Sequence, residues 1–252
     1  MIHDPAKLRL GKRAARHDPR TLRLASFLTP LPVPPPRIDW SLGVNDWGTM
    51  QNDAIGDCTI AAAGHMIQAW TTNNGAELVL PDSTIVAEYS AITGYVPGDE
   101  STDNGAVELD VLNYWRKTGI GGHKIAGYVS LTPKNRDHVR LSVDLLGGCY
   151  LGISLPKTIL DQEMWTVPES GPVGDAAPGS LGGHAVPVVN YGPAGIVIVT
   201  WGKLVTMTWE FFNEYVDEAY GILSPDWADG TKTAPSGFDF ATLQQDLKAI
   251  EG

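Results

Sequence analysis

Only two cysteines occur in 252 residues, Cys58 and Cys149. They are too few for a disulfide framework, and no Cys/His cluster has zinc spacing. No stretch approaches the ~18 uncharged apolar residues of a membrane span. Met1 to Pro36 carries charge but neither a hydrophobic stretch nor a small-residue cleavage site, so no secretory leader is expected. No internal repeat is found. Disulfide-rich, membrane and structural-zinc classes are thereby excluded, and no metal or cofactor is expected. What remains is a globular chain, 43% apolar, with ample material for a core.

Charge is unevenly placed. Residues 1–24 hold seven Lys/Arg (Lys7, Arg9, Lys12, Arg13, Arg16, Arg20, Arg23) against Asp4 and Asp18, a net of +5; the total of −11 leaves −16 for the rest. So acidic a body repels nucleic acid. The basic arm suits an acidic partner, either another protein or the chain's own body, or it stays solvated.

After the arm, Thr29 to Pro36 is a polyproline-prone spacer. Residues 1–36 are therefore expected as arm and spacer, and 37–252 as a single folded domain starting near Arg37. Gly56-Asp57-Cys58 through Trp70 reads as a helix with Asp57 at its N-cap. Apolar spacing predicts further helices over about 82–93, 107–118 and 135–146. The second half changes character. Residues 149–155, 184–191 and 195–201 are short, β-branched and bounded by Gly and Pro, which predicts strands, the last two paired as a hairpin. A helix over 208–216, a strand at 219–223 and a loop with a short terminal helix complete the reading. Helices early and strands late make an α+β protein, with a helical lobe over about 50–148, a sheet lobe over about 149–223 and a tail over 224–252.

Cys58 is the one nucleophile in an interpretable setting. In the first turn of a helix, the dipole and free N–H groups favour thiolate. A base is also needed, and His184, opening a strand after Gly182-Gly183, can arrive from the other lobe. The competing reading makes Cys58 a small buried hydrophobe beside an Ala-rich face. Cys149 reads as core, and His65 as a packing or surface residue.

These segments resemble the papain-like cysteine peptidases, particularly their bacterial and phage type. Met50-Gln51 through Gly56-Asp57-Cys58-Thr59 resembles the family's nucleophile segment. Gly182-Gly183-His184 through Gly192 is similar to its histidine segment, and Val199-Thr200-Trp201-Gly202 to the segment that usually reads Asn-Ser-Trp-Gly. The resemblance spans about residues 38–223. It implies a papain-like two-lobed fold, with the Cys helix in the N-terminal helical lobe and the His on an antiparallel sheet or barrel. It also implies roles: Cys58 as nucleophile, His184 as base and Gln51 as oxyanion-hole donor. The Gln51-to-Cys58 interval is one residue longer than usual, so the loop must bulge. The family's ring-orienting Asn falls on Thr200, whose hydroxyl can accept a hydrogen bond; the other register puts Val199 there, which cannot. Asn190 is about 20 Å from His184 along an extended strand. Asp57, where the family commonly has Ser, disfavours a thiolate unless it caps the helix and points away.

Two functions follow. One is a cysteine peptidase or related thiol amidase acting on a peptide or protein substrate through an acyl-enzyme. The other is a catalytically impaired papain-fold binding or structural module, perhaps phage-associated. With no leader or span expected, a cytoplasmic or phage-particle location is the expectation. By analogy with family extensions, the arm is a pro-segment, a docked structural arm or a contact for another protein.

Overall fold

The computed structural model describes residue 4 and residues 7–26, 32–132 and 134–227. Its first helix, α1 (Cys58–Asn73), is buried on every side from Cys58 to Trp70. Ala61, Ala62, Ala63 and Gly64 allow this, because small side chains let neighbours approach closely. Around it stand α2 (Asp82–Thr93) and α3 (Glu108–Lys117). Their Ile85, Tyr89, Val111 and Trp115 join Ile60, Ile67 and Trp70 in the core of the helical lobe.

α4 (Arg136–Leu146) opens on Asn135, whose side-chain oxygen accepts from the N–H groups of Asp137 and His138. It ends at Gly147, left-handed at φ 71°. The chain then enters a seven-stranded antiparallel sheet. Its strands are β1 (Ile38–Asp39), β2 (Gly127–Ser130), β3 (Cys149–Leu155), β4 (Gly182–Gly192), β5 (Gly195–Thr200), β6 (Lys203–Thr208) and β7 (Val216–Leu223). The order is β2-β7-β3-β4-β5-β6, with β1 on the far end of β4. α5 (Trp209–Tyr215), capped by Thr208, packs Phe211, Phe212 and Tyr215 into the sheet lobe's core.

The lobes meet where α1 packs on β4. The Tyr150 hydroxyl donates to the Thr59 carbonyl (2.8 Å), and the Trp70 indole donates to that of Leu146 (3.1 Å). The first bond ties the start of α1 to β3, the neighbour of the strand that carries His184, and the second ties the later part of α1 to the end of α4.

The predicted helices over 58–216 and the 149–155, 184–191 and 195–201 strands are present within about three residues at each end, the first helix running on from Trp70 to Asn73. β1, β2 and β6 are not anticipated by the sequence pattern. The expected terminal helix, and all residues from 228 on, lie outside the described residues. One boundary needs correcting, because packing begins well before Arg37. Leu24 is fully buried in the sheet lobe's core, and the Ser130 N–H donates to the Leu22 carbonyl (2.7 Å). The described residues 7–26 of the arm are part of the folded body, since their backbone finds partners there.

Candidate active site

Cys58 is the first residue of α1, and its side chain is 1% exposed. The sulfur accepts a hydrogen bond from the N–H of Ala185 (3.4 Å), the residue after His184. His184 is also 1% exposed, and its ring stacks on Trp201, with centroids 4.4 Å apart and planes 15° from parallel. Its Nε2 lies 2.8 Å from the Thr200 hydroxyl.

Each of these placements has a local cause. Trp201 and Gly202 form the two-residue turn between β5 and β6, and both have positive φ, 46° and 74°. That is the hairpin turn whose twist suits antiparallel strands. A left-handed non-glycine residue costs roughly 1–2 kcal/mol. Here the strained residue is the one that covers the histidine, which fits the tendency of strain to gather at functional positions. Strand alternation does the rest. Val199 joins Trp47, Ala69 and Val189 in a small cluster, so Thr200 takes the opposite side and faces His184. Asn190 pairs with Val197 and Asp39 at the other end of β4.

Gln51 is placed elsewhere. The Thr49–Asn52 turn, closed by the Asn52 N–H on the Thr49 carbonyl (3.0 Å), has both central residues left-handed, Met50 at 50° and Gln51 at 67°. This is how the longer interval is accommodated. It turns Gln51 outward, and its amide donates to Asp82 at the start of α2 (2.8 Å). The oxyanion role that the resemblance gave Gln51 is therefore not met by this geometry. The backbone N–H of Cys58, the first residue of its helix, has no partner within that helix. The residue that stands at the family's usual interval is Asn52. It is 2% exposed, with its side chain donating to the Ile55 carbonyl (3.2 Å) inside the nucleophile loop. Counting back from Cys58 by that interval would have found it.

Asp57 occupies the N-cap position, but its side chain makes no cap hydrogen bond. No hydrogen bond of good geometry reaches its buried carboxyl oxygens, and burial pushes the acid's pKa well above its ordinary value against weaker opposing contacts from the Asn52 side chain and its own N–H. Its proximity still adds to the rise of the Cys58 pKa, behind burial. The loop is held instead by Asp103, which the sequence reading passed over. It accepts from the Gly56 N–H (2.8 Å) and from the Tyr89 hydroxyl (2.6 Å), and that hydroxyl accepts from the Gly105 N–H (2.9 Å). His65 is a packing residue, Nε2 lying 3.1 Å from the Trp47 carbonyl, with burial lowering its pKa to about 4.

The chain's own arm seals the site. Arg9 donates to the Asn52 carbonyl (3.2 Å) and accepts from the Trp201 indole (3.2 Å). The Gly11 carbonyl takes the Ala106 N–H (2.8 Å), Lys12 donates to Gly183 (3.2 Å), and Arg13 donates to Ala106 (2.9 Å). The arm is thus bonded to the helical lobe on one side and the sheet lobe on the other. At Gly11 it passes so close that a Cβ would run into the Gly56 carbonyl, and one on Gly183 would run into that of Lys12. Gly182-Gly183 therefore serves close approach as much as freedom.

Closure sets the protonation states. Burial pushes the Cys58 thiol up to about 12, partly offset by hydrogen bonds from Ala185 and the Gly11 backbone. Burial also lowers His184 to about 3, and its Nδ1 has no hydrogen-bond partner. The expected bond between Cys58 and His184 is therefore not made in this arm-docked state. The pair is a neutral thiol beside a neutral imidazole.

No protein-family model matches the chain, and no curated protein sequence does. Solved structures do match. Xylellain, a cysteine protease from Xylella fastidiosa, superposes with a TM-score of 0.65 at 17% identity, over 86% of this chain and 97% of that one. The fold is papain-like. Digestive procathepsin L 3 of Tenebrio molitor gives 0.57 at 12% identity, over 87% and 77% of the two chains. The Carica candamarcensis cysteine protease CMS1MS2, in complex with E-64, gives 0.53 at 14%, over 75% and 99%. In this papain-like fold the helical part carries Cys58 and the sheet-rich C-terminal part carries His184, as the resemblance implied.

One consequence concerns Thr200. Replacing it with Val removes the hydroxyl and leaves Nε2 buried without a partner. With the arm displaced, alkylation of Cys58 at pH 6 should fall by about 10- to 100-fold, since a hydrogen bond to a charged group contributes roughly 1.5–3 kcal/mol. Thr200→Asn should keep or raise that rate; a lower rate in a folded variant would show that Thr200 does not orient the ring.

Proposed function

We propose that this chain is a cysteine peptidase or related thiol amidase that is closed by its own arm. The observation that carries the reading is a thiol at a helix N-terminus, bonded to the residue beside a histidine whose far nitrogen meets Thr200 and whose face is covered by Trp201. Once the arm leaves, water and substrate reach the pair, and the desolvation that holds both groups neutral is relieved. The Cys58 proton then passes to His184 Nδ1, with Nε2–H donating to Thr200. The thiolate attacks the peptide carbonyl carbon, the C–N bond breaks and His184 returns the proton to the leaving amine. Water, deprotonated by the same imidazole, cleaves the thioester and restores the thiol.

A second reading, an arm-locked binding module without turnover, is favoured by the unmade Cys58–His184 bond and by Gln51 facing Asp82. The two part on one experiment. The arm-displaced chain is incubated with an unfolded protein substrate, and new amino termini are counted beside a Cys58→Ala control. The peptidase reading expects cleavage that the control lacks, and stoichiometric epoxide modification mapped to Cys58 rather than Cys149. Slow, substoichiometric modification with no cleavage would leave the binding module.

A further inference from the structure

Lys12 is the one arm cation driven into the protein, with its side chain 1% exposed. Its stem passes over Gly152 on β3, where any Cβ would collide with it. Its ammonium lies 2.9 Å from Asp217 and 3.1 Å from Glu218, both on β7. A third carboxylate closes the pocket. Glu108, the first residue of α3, is fully buried, and neither of its oxygens has a hydrogen-bond partner. One of them lies beside the Lys12 stem, 2.8 Å from where a Cβ on Gly152 would stand. Burial alone would lower the Lys12 pKa, yet Glu108, Glu218 and Asp217 together hold it above the ordinary value.

Three acids around one ammonium exceed what anchoring an arm requires; burial and the neighbouring Glu218 push the Glu108 pKa well above its ordinary value, and the Lys12 charge opposes that rise. A buried acid is costly unless a cation or hydrogen bonds offset its desolvation. Glu108 gains nothing from hydrogen bonding here, so its surroundings are suited to a positive charge. The pocket also adjoins the chemistry, because Lys12 follows Gly11, whose backbone meets the Cys58 sulfur. Glycine at 152 leaves room for a long unbranched stem.

We infer that this pocket is the specificity pocket of the site and takes a lysine or arginine side chain of the peptide substrate, with Lys12 standing in for it while the arm is docked. The inference rests on the peptidase reading for its substrate but not for the recognition of the cation. An apolar side chain would leave the acids facing hydrocarbon. The cationic one would sit next in sequence to the residue at the thiol.

Two measurements test this, and the first needs no turnover. Lys12→Met keeps the length of the stem and removes the charge. Alkylation of Cys58 in the full chain should rise by at least about tenfold in Lys12→Met and stay within about threefold of the original in Lys12→Arg, because leaving buried charges unpaired weakens docking strongly. An unchanged rate in Lys12→Met would overturn the inference. The second measurement uses the Gly11→Ala chain and a fluorogenic peptide library scanned one position at a time. Lysine or arginine should exceed norleucine in kcat/KM by at least about 30-fold at one position. Adding Glu108→Gln and Glu218→Gln should bring that ratio below about 5. Cleavage with no cation preference would overturn the pocket and leave the peptidase standing. No cleavage of any peptide, with Lys12→Met still opening the arm, would support the cation pocket and overturn the peptidase.

Discussion

Replacing Gly11 with alanine is expected to raise the rate of Cys58 alkylation by iodoacetamide about 30-fold near neutral pH, with the fold intact. The reason is steric. An alanine methyl would run into the Gly56 carbonyl, and that carbonyl belongs to the loop pinned by Asp103. Backbone held this way does not retreat, so the arm must. Overpacking of this kind costs about 1–3 kcal/mol, all of it borne by the docked state, and about 2 kcal/mol corresponds to some 30-fold in the open population. Leu24 and the contacts that follow it are untouched, so the arm stays tethered and the body should keep its stability. A labelling rate equal to that of the unmodified chain would show that the arm does not control access to the thiol.

The second large effect is expected from His184→Ala in that arm-displaced background. Among the described residues the imidazole is the base this reading assigns to the Cys58 proton, since Asp57 raises the thiol's pKa rather than lowering it and His65 is committed to the Trp47 loop. A positioned general base contributes about 10²- to 10⁴-fold. Hydrolysis and alkylation at pH 6 should both fall by at least about 100-fold, while alkylation above about pH 9, where a thiol of ordinary pKa is ionised without help, should persist. Full reactivity at pH 6 without His184 would mean that another group activates the thiol.

Much of this could be read in the sequence where local chemistry and tertiary packing agree. The Ala-rich run after Gly56, the Gly-bounded strand at 149–155 and the 184–200 hairpin follow spacing rules that packing does not override. β6 escaped because its turn is Trp201-Gly202, and a tryptophan at φ 46° is not a turn residue by any local preference. It stands there to stack on His184, a reason that exists only in three dimensions. β2 is a four-residue edge strand whose pairing with β7 lies far along the chain. Thr200 could be placed by counting along the hairpin. Gln51 could not, because an extra residue in a loop leaves its direction undetermined until the left-handed turn at Met50 and Gln51 is seen. The arm's +5 charge pointed to docking on an acidic surface. Which cation goes inside depended on Gly152 and on carboxylates from α3 and β7, well separated along the chain.

The central claim is a Cys58–His184 pair that becomes reactive when the arm is lifted, and the pH dependence of Cys58 alkylation tests it most directly. In the arm-docked chain the thiol, raised to about 12, is protonated throughout the neutral range. Its rate should climb steadily with pH and show no plateau below about pH 11. In the Gly11→Ala chain, transfer of the proton to His184 makes thiolate available below the ordinary thiol pKa. The profile should then rise at acid pH and hold a plateau across about pH 5–8. A single rise near pH 8.5–9 in the opened chain, as for an unassisted cysteine, would contradict the account.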